Sequence, residues 1–247
     1  MRGLWKLTWT EIKLFLREPY STFFTLAFPL MLLFLFGSIY GNKPTPFFNG
    51  HGSVDVLLPC YAALLIGSSG LISMTIYMAV YRERGVLRRL HATPLRPQTV
   101  LGAQVLVVFL MCTLGLALLI AAAKIVYGLR FMGNGFSVLG AYVLSCLGLF
   151  SLGFVLASVL PTARTAQAVA MALFYPMMFL SGAAMPREIL PLTIRRVARF
   201  FPLTHVVDLL RGLWLGDPWS RHLTEVAVLA GLFVVCVAVS LKTFRWE

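Results

Sequence analysis

Few residues in this chain combine a reactive type with a suggestive spacing. Gly67-Ser68-Ser69-Gly70 lies inside a long apolar run and fits the G-x-S-G pattern of intramembrane serine proteases. A serine nucleophile there needs a general base at similar depth, normally histidine, to take its proton. The four histidines, His51, His91, His205 and His222, all fall in connections between apolar runs. Those small residues are better read as positions of close helix packing. The four cysteines, Cys60, Cys112, Cys146 and Cys236, sit within apolar runs without pairing or metal-ligand spacing, and are read as packing residues. There is no G-x-x-x-x-G-K-[ST] loop and no Gly-Lys pair, so the chain has no such cradle for ATP phosphates. It is therefore expected to be no enzyme by itself and to hold no cofactor of its own.

Charge is concentrated instead in YRERGVLRRLHATPLRP, residues 81–97, which carries five arginines and one glutamate between two apolar runs. As a helix, this stretch places Glu83, Leu87 and Leu90 on one face, with Val86 beside them, and Arg84 and Arg88 on another. Pro94 stops it and Pro97 opens the next run. A cationic face suits anionic lipid headgroups. A lone glutamate among leucines gains nothing from such lipid and points to a protein partner.

The elements that must carry these residues are membrane helices. Of 247 residues, 59% are hydrophobic and 12% charged, far more apolar than a soluble domain of average composition. Uncharged stretches cover 19–42, 56–81, 97–123, 131–163, 165–186 and, with 16 residues, 226–241. A bilayer core of about 30 Å needs about 20 residues of helix. Counting Leu223 to Leu241 as the last, with Glu225 at headgroup level, predicts six spans. Their continuous apolarity speaks against barrel strands, which alternate. The fold class is thus all-α, a single transmembrane domain over 1–247.

Basic residues sit in short connections and no nucleic-acid motif accompanies the net charge of +12, so nucleic acid is not expected as a partner. Lysine and arginine number 4, 1 and 5 in the first three segments outside the spans, which predicts cytoplasmic N- and C-termini. Met1 to Glu18 reads as an interfacial helix and not a cleaved signal, with Trp5, Trp9, Ile12 and Leu16 on one stripe. Residues 186–222, on the far side, contain two short helical patterns broken by Pro186, Pro191 and Pro202. Thr204 is placed to cap the second, and Asp208 and Arg211 share a face. Too short and too charged to span, these pieces are expected to form a re-entrant hairpin between spans 5 and 6 that acts as an outer gate.

ERGVLRRLHATPLRP, placed after a second span, resembles the coupling segment of type-2 ABC exporter permeases, whose pattern is close to E-R-E-x-G-T-L-R-R-L-x-A-T-P. Here Tyr81 replaces the first acid and Val86 the threonine. FLREP before the first span is similar to the end of that family's interfacial helix. FYPMMFLSGAAMPREILP followed by FPLTHVVDLLRG is similar to its fifth span and outer segment. The resemblance implies a half-transporter that pairs with a second permease copy, or a close relative of it, and with two separate ABC ATPase subunits, which bind ATP and Mg. It also implies that Glu83, Arg84, Gly85, Leu87, Arg88, Leu90, Ala92, Thr93 and Pro94, within a coupling helix at 82–96, engage the ATPase. The substrate path would run along spans 2 and 5, for which Met74, Tyr77, Phe174, Tyr175, Met178 and Phe179 are candidates. Export of a lipophilic or drug-like molecule across the inner (cytoplasmic) membrane is the expected activity, with lipid-linked polysaccharide as the alternative cargo. An ion channel is disfavoured, because the uncharged stretches hold no Asp, Glu, Lys or Arg.

Overall fold

The computed structural model describes residues 19–48, 50–83, 85, 97–184 and 191–243, and among them the structure is helical, with one isolated antiparallel bridge between Pro44 and Gly52. Helix α1 starts with an α-helical turn Pro19–Thr22, widens into a π-helical segment Phe23–Ala27 and continues as Phe28–Tyr40. The widening directly precedes Pro29, which cannot donate to the ladder. Helix α2 is Ser53–Gly67, a π-helical segment Ser68–Met74 and then Thr75–Glu83. Helix α3 is Pro97–Tyr127, and α4 is Gly135–Val159, capped by the Asn134 side chain, which accepts from the Phe136 and Ser137 N–H groups. Helix α5 is Ala163–Leu180, α6 Leu192–Ala198, α7 Pro202–Trp214 and α8 Leu223–Thr243.

Among the described residues, four helices are long and apolar enough to cross a membrane: Ser53–Glu83, Gly102–Tyr127, Gly135–Val159 and Trp219–Ser240. This is fewer than the six runs counted from sequence. The apolar part of α1, Thr25–Tyr40, is shorter. Arg164 and Gln167 lie in the first turns of the 18-residue α5 and lower its apolarity.

Helix α2 forms the centre of the bundle, contacted by α1, α3, α4, α5 and α7, and all of its apolar stretch is buried. Small residues allow this. A Cβ on Gly70 would come within 2.8 Å of the Leu149 backbone, and one on Gly153 would fall on the Gly70 carbonyl oxygen, so α2 and α4 touch backbone to backbone. The Thr75 hydroxyl donates across the same contact to the Gly153 carbonyl at 3.1 Å. Ser69 and Ser73 meet the buried Thr25 hydroxyl of α1 at 3.5 and 3.4 Å. Ser69 is thus a packing residue between two π-helical segments, and His205 and His222 find their partners in other segments, Arg199 and the Asp217–Glu225 region. All four cysteines are buried and none forms a disulfide.

The two ends of the bundle differ. At one end α2, α4 and α5 meet around residues 82–83 and 158–163. At the other, the α3–α4 connection packs on α7. Phe131 stands edge-on to Trp214 with ring centroids 4.7 Å apart, and Gly133 lies against the Leu213 carbonyl.

Candidate functional site

At the first end, the last residues of α2 hold the turn between α4 and α5. The Arg82 guanidinium donates from Nη1 to the Ser158 carbonyl at 3.0 Å and from Nη2 to the Leu160 carbonyl. These are carbonyls at the C-terminus of α4, where helix geometry leaves acceptors unpaired and the dipole favours a cation. Glu83 Oε2 accepts the N–H of Ala163, the first residue of α5, at 2.7 Å. An anion at a helix N-terminus has the complementary sign, and the bond is charge-assisted. Thr162 and Thr165 complete that terminus by capping one another reciprocally. Two adjacent charges of opposite sign therefore grip two helix ends of opposite polarity.

Gly85 follows with φ 62°, its N–H donating to the Arg82 carbonyl at 3.0 Å. This left-handed turn terminates α2 and suits glycine. The Glu83 carboxylate is turned to α5, while Leu87 and Leu90, expected on one helical face with it, lie outside the described residues. Arg84, Leu87, Arg88, Leu90, Ala92, Thr93 and Pro94 lie outside the described residues, as does the interfacial segment 1–18.

The six path candidates divide into two groups. Met74, Tyr77, Phe174 and Met178 are buried in the protein's own core, whereas Tyr175 and Phe179 are 38% and 52% exposed on the outer side of α5. The latter two are four residues apart and so share a helical face, together with Ala168 and Ala172. Helix α5 runs on through Pro176, whose missing N–H removes one rung of its ladder.

Of the candidates at the opposite end, Pro186 lies outside the described residues. Pro191 precedes α6 and its carbonyl accepts the Arg195 N–H at 3.1 Å, while Pro202 begins α7. Thr204 does not cap α7. Pro202 takes the first helical position, and the Thr204 hydroxyl instead donates to the Ala198 carbonyl at 2.6 Å, closing the C-terminus of α6. His205 Nε2 adds a contact to the Arg199 carbonyl at 2.9 Å. Asp208 and Arg211 lie on the half-buried face of α7, whose other side is packed by Leu203, Val206, Val207 and Leu210.

Two groups of residues escaped the reading of the sequence. Arg82 is one. The other is a polar knot at the start of α2, where Asp55, 1% exposed, accepts from Asn42 Nδ2 at 3.0 Å and from the Arg130 backbone N–H at 2.8 Å. Asn42 Oδ1 in turn accepts the Val54 and Asp55 N–H groups, and its Nδ2 reaches the Tyr127 carbonyl at 3.2 Å. Ends of α1, α2 and α3 are tied by one acid and one amide. The signal available was the position of both side chains directly beside uncharged runs.

The family model described as ABC-2 type transporter matches residues 2–215, which take in the Arg82–Glu83 grip, both faces of α5 and all of α7. Among curated proteins, the chain is 40% identical over 70 residues to Nodulation protein J of Rhizobium leguminosarum bv. viciae, covering 28% of this chain and 27% of that protein. It is 25% identical over 238 residues to the Putative transport permease ycf38 of Porphyra purpurea, covering 92% and 79%. It is also 25% identical over 171 residues to the Inner membrane transport permease YhhJ of Escherichia coli (strain K12), covering 66% and 45%. The matched part thus spans about a quarter of that nodulation relative's length. A family match over most of the sequence, on a helical bundle with apolar helices long enough to cross a bilayer, identifies an integral membrane protein that belongs to the ABC-2 type transporter family.

Proposed function

We propose that this chain is the six-span membrane subunit of an ATP-driven ABC exporter for a lipophilic or drug-like molecule, working with a second permease copy and two separate ATPase subunits that bind ATP and Mg. In this reading α1 and α5 join the four long apolar helices as spans, since 22 and 18 residues give about 33 and 27 Å of helix. The termini and residues 82–96 face the cytoplasm of the inner membrane, and 186–222 forms an outer gate.

The observation that carries the reading is the Arg82–Glu83 grip on the α4–α5 turn. An ATPase pressing on the segment after Gly85 would move the end of α2 and, through those bonds, the start of α5. Helix α5 holds the exposed Tyr175 and Phe179, which suit the wall of a path between two copies for an apolar cargo. Bistable helix shifts of this kind are a common way for a small push to open or close a passage.

The test is ATP hydrolysis and ATP-dependent transport of a fluorescent lipophile by the chain reconstituted with its co-purifying ATPase. Glu83→Arg is expected to lower cargo-stimulated hydrolysis by about 10-fold, equivalent to about 1.4 kcal/mol of lost coupling, with insertion unchanged. Unaltered transport in Glu83→Arg and Leu87→Asp would defeat the coupling role. Stimulation by a lipid-linked polysaccharide and by no lipophile would transfer the cargo to that class.

A further inference from the structure

A groove of about 550 Å³ opens between α3 and α4 at the Lys124 end of the bundle, within the size range of small-molecule sites. Leu116 and Ile120 of α3 and Val138 and Leu139 of α4 form its walls, and Phe131 and Trp214 close it on one side. Its deep end holds Thr113 and Tyr142, whose hydroxyls lie 2.9 Å apart, with Thr113 donating to the Phe109 carbonyl at 2.8 Å. Their polar groups are satisfied within the protein, so the floor asks nothing polar of an occupant. Lys124 is the charged residue of the lining, exposed, and no carboxylate pairs with it among the described residues. Trp214 is 6% exposed, and its indole N–H is buried without a hydrogen-bond partner among the described residues. The eleven helical steps from Thr113 to Lys124 rise about 16 Å, roughly half of a bilayer core.

What borders the groove settles the environment of its mouth. Leu114, Leu118 and Ile125 on α3 and Phe136, Val143 and Leu147 on α4 are exposed large apolar side chains. On membrane helices such surfaces face acyl chains, so the groove opens sideways into lipid. Its gradient runs from a cation at the end of the helix, along apolar walls, to two hydroxyls already bonded within the protein. That is the polarity of a phospholipid molecule.

We infer that this groove is a binding site for one anionic phospholipid, with the phosphate at Lys124 and an acyl chain between α3 and α4. A lysine on a flexible stem can follow a headgroup while its methylenes cover apolar surface. The inference requires the membrane placement of α3 and α4 and neither the exporter activity nor the identity of any cargo.

Native mass spectrometry of the full chain, released from vesicles of phosphatidylglycerol and phosphatidylcholine in equal parts, reads this directly. Wild type is expected to retain one phosphatidylglycerol in at least 5-fold preference over phosphatidylcholine. Lys124→Gln should erase the preference while a lipid is still retained, and Val138→Trp, which fills the groove, should lose the retained lipid of either kind. Equal retention of both lipids by wild type, or an undiminished preference in Lys124→Gln, overturns the proposal. So does efficient disulfide formation between copies through Leu139→Cys in the intact membrane, because a second copy would then occupy the groove.

Discussion

Helices α2 and α8 are both unbroken apolar stretches in the sequence, yet they occupy opposite environments. All of the apolar stretch of α2 is buried inside the protein, against 11% of that of α8. Hydrophobicity does not separate them, since lipid tails and a protein core are equally apolar. The residues that do are small and hydroxylated. Helix α2 contains Gly67, Ser68, Ser69, Gly70, Ser73 and Thr75 in one run, while α8 presents Val234, Val235, Val237 and Val239 to its surroundings. Without a hydrophobic drive between helices in lipid, close backbone approach and dispersion decide which helix goes inside. Helix α8 packs on α4, where Leu229 meets Gly148, and on α7, and it turns its valine-rich side outward.

The strongest way to break this contrast is to add bulk at matched glycines. Gly153→Leu forces a side chain onto the Gly70 carbonyl and should destabilise the folded protein by roughly 3 kcal/mol, through overpacking of backbone against backbone. Gly231→Leu on α8 meets nothing within 4 Å and should change stability by about 0.5 kcal/mol at most. Detergent-titrated unfolding followed by circular dichroism compares the two. Equal losses would mean that α2 is no more tightly held than α8.

A smaller effect is expected from the acids in the first turns of the same two helices. Asp55→Ala removes the acceptor of the Asn42 amide and the Arg130 N–H in a buried site, at a cost of about 2 kcal/mol. Glu225 lies 3.8 Å from His222 and is half-buried, so Glu225→Ala should cost about 0.5 kcal/mol. Thermal unfolding of the two variants beside wild type gives the order. The reverse order would make the α8 terminus the anchored one.

Sequence periodicity and charge made the broad architecture legible, because a bilayer demands long apolar helices and charges collect where the spans end. Less legible were features set by tertiary partners. Glu83 looked like an acid awaiting another protein, and nothing local announced that its carboxylate accepts the Ala163 N–H, 80 residues away. Thr204 has the type of an N-cap, yet Pro202 holds the start of α7 and the nearest open acceptor belongs to α6. Gly67 to Gly70 was readable as a packing element because small residues in lipid have few other uses, although which helix it would meet was not. Met74 and Tyr175 could be assigned to helices but not to sides, since in an apolar run no polar face marks the outside.

The finest distinction is whether size or hydrogen bonding keeps α2 central. Thr75 and Gly153 make both kinds of contact at one place, a hydroxyl-to-carbonyl bond of 3.1 Å and the backbone approach that glycine permits. Thr75→Val keeps the volume and branching and deletes only the bond. Hydrogen bonds between membrane helices average about 0.6 kcal/mol, because the alternatives in the membrane also find partners, so the loss should be of that size. In this variant the valine also leaves the Gly153 carbonyl with its own ladder bond, which limits the cost of the lost donor. A loss above about 2 kcal/mol in the same unfolding assay would show that hydroxyl groups hold the centre of the bundle. A loss near 0.6 kcal/mol, beside the much larger effect of Gly153→Leu, assigns that role to the missing side chains of Gly70 and Gly153.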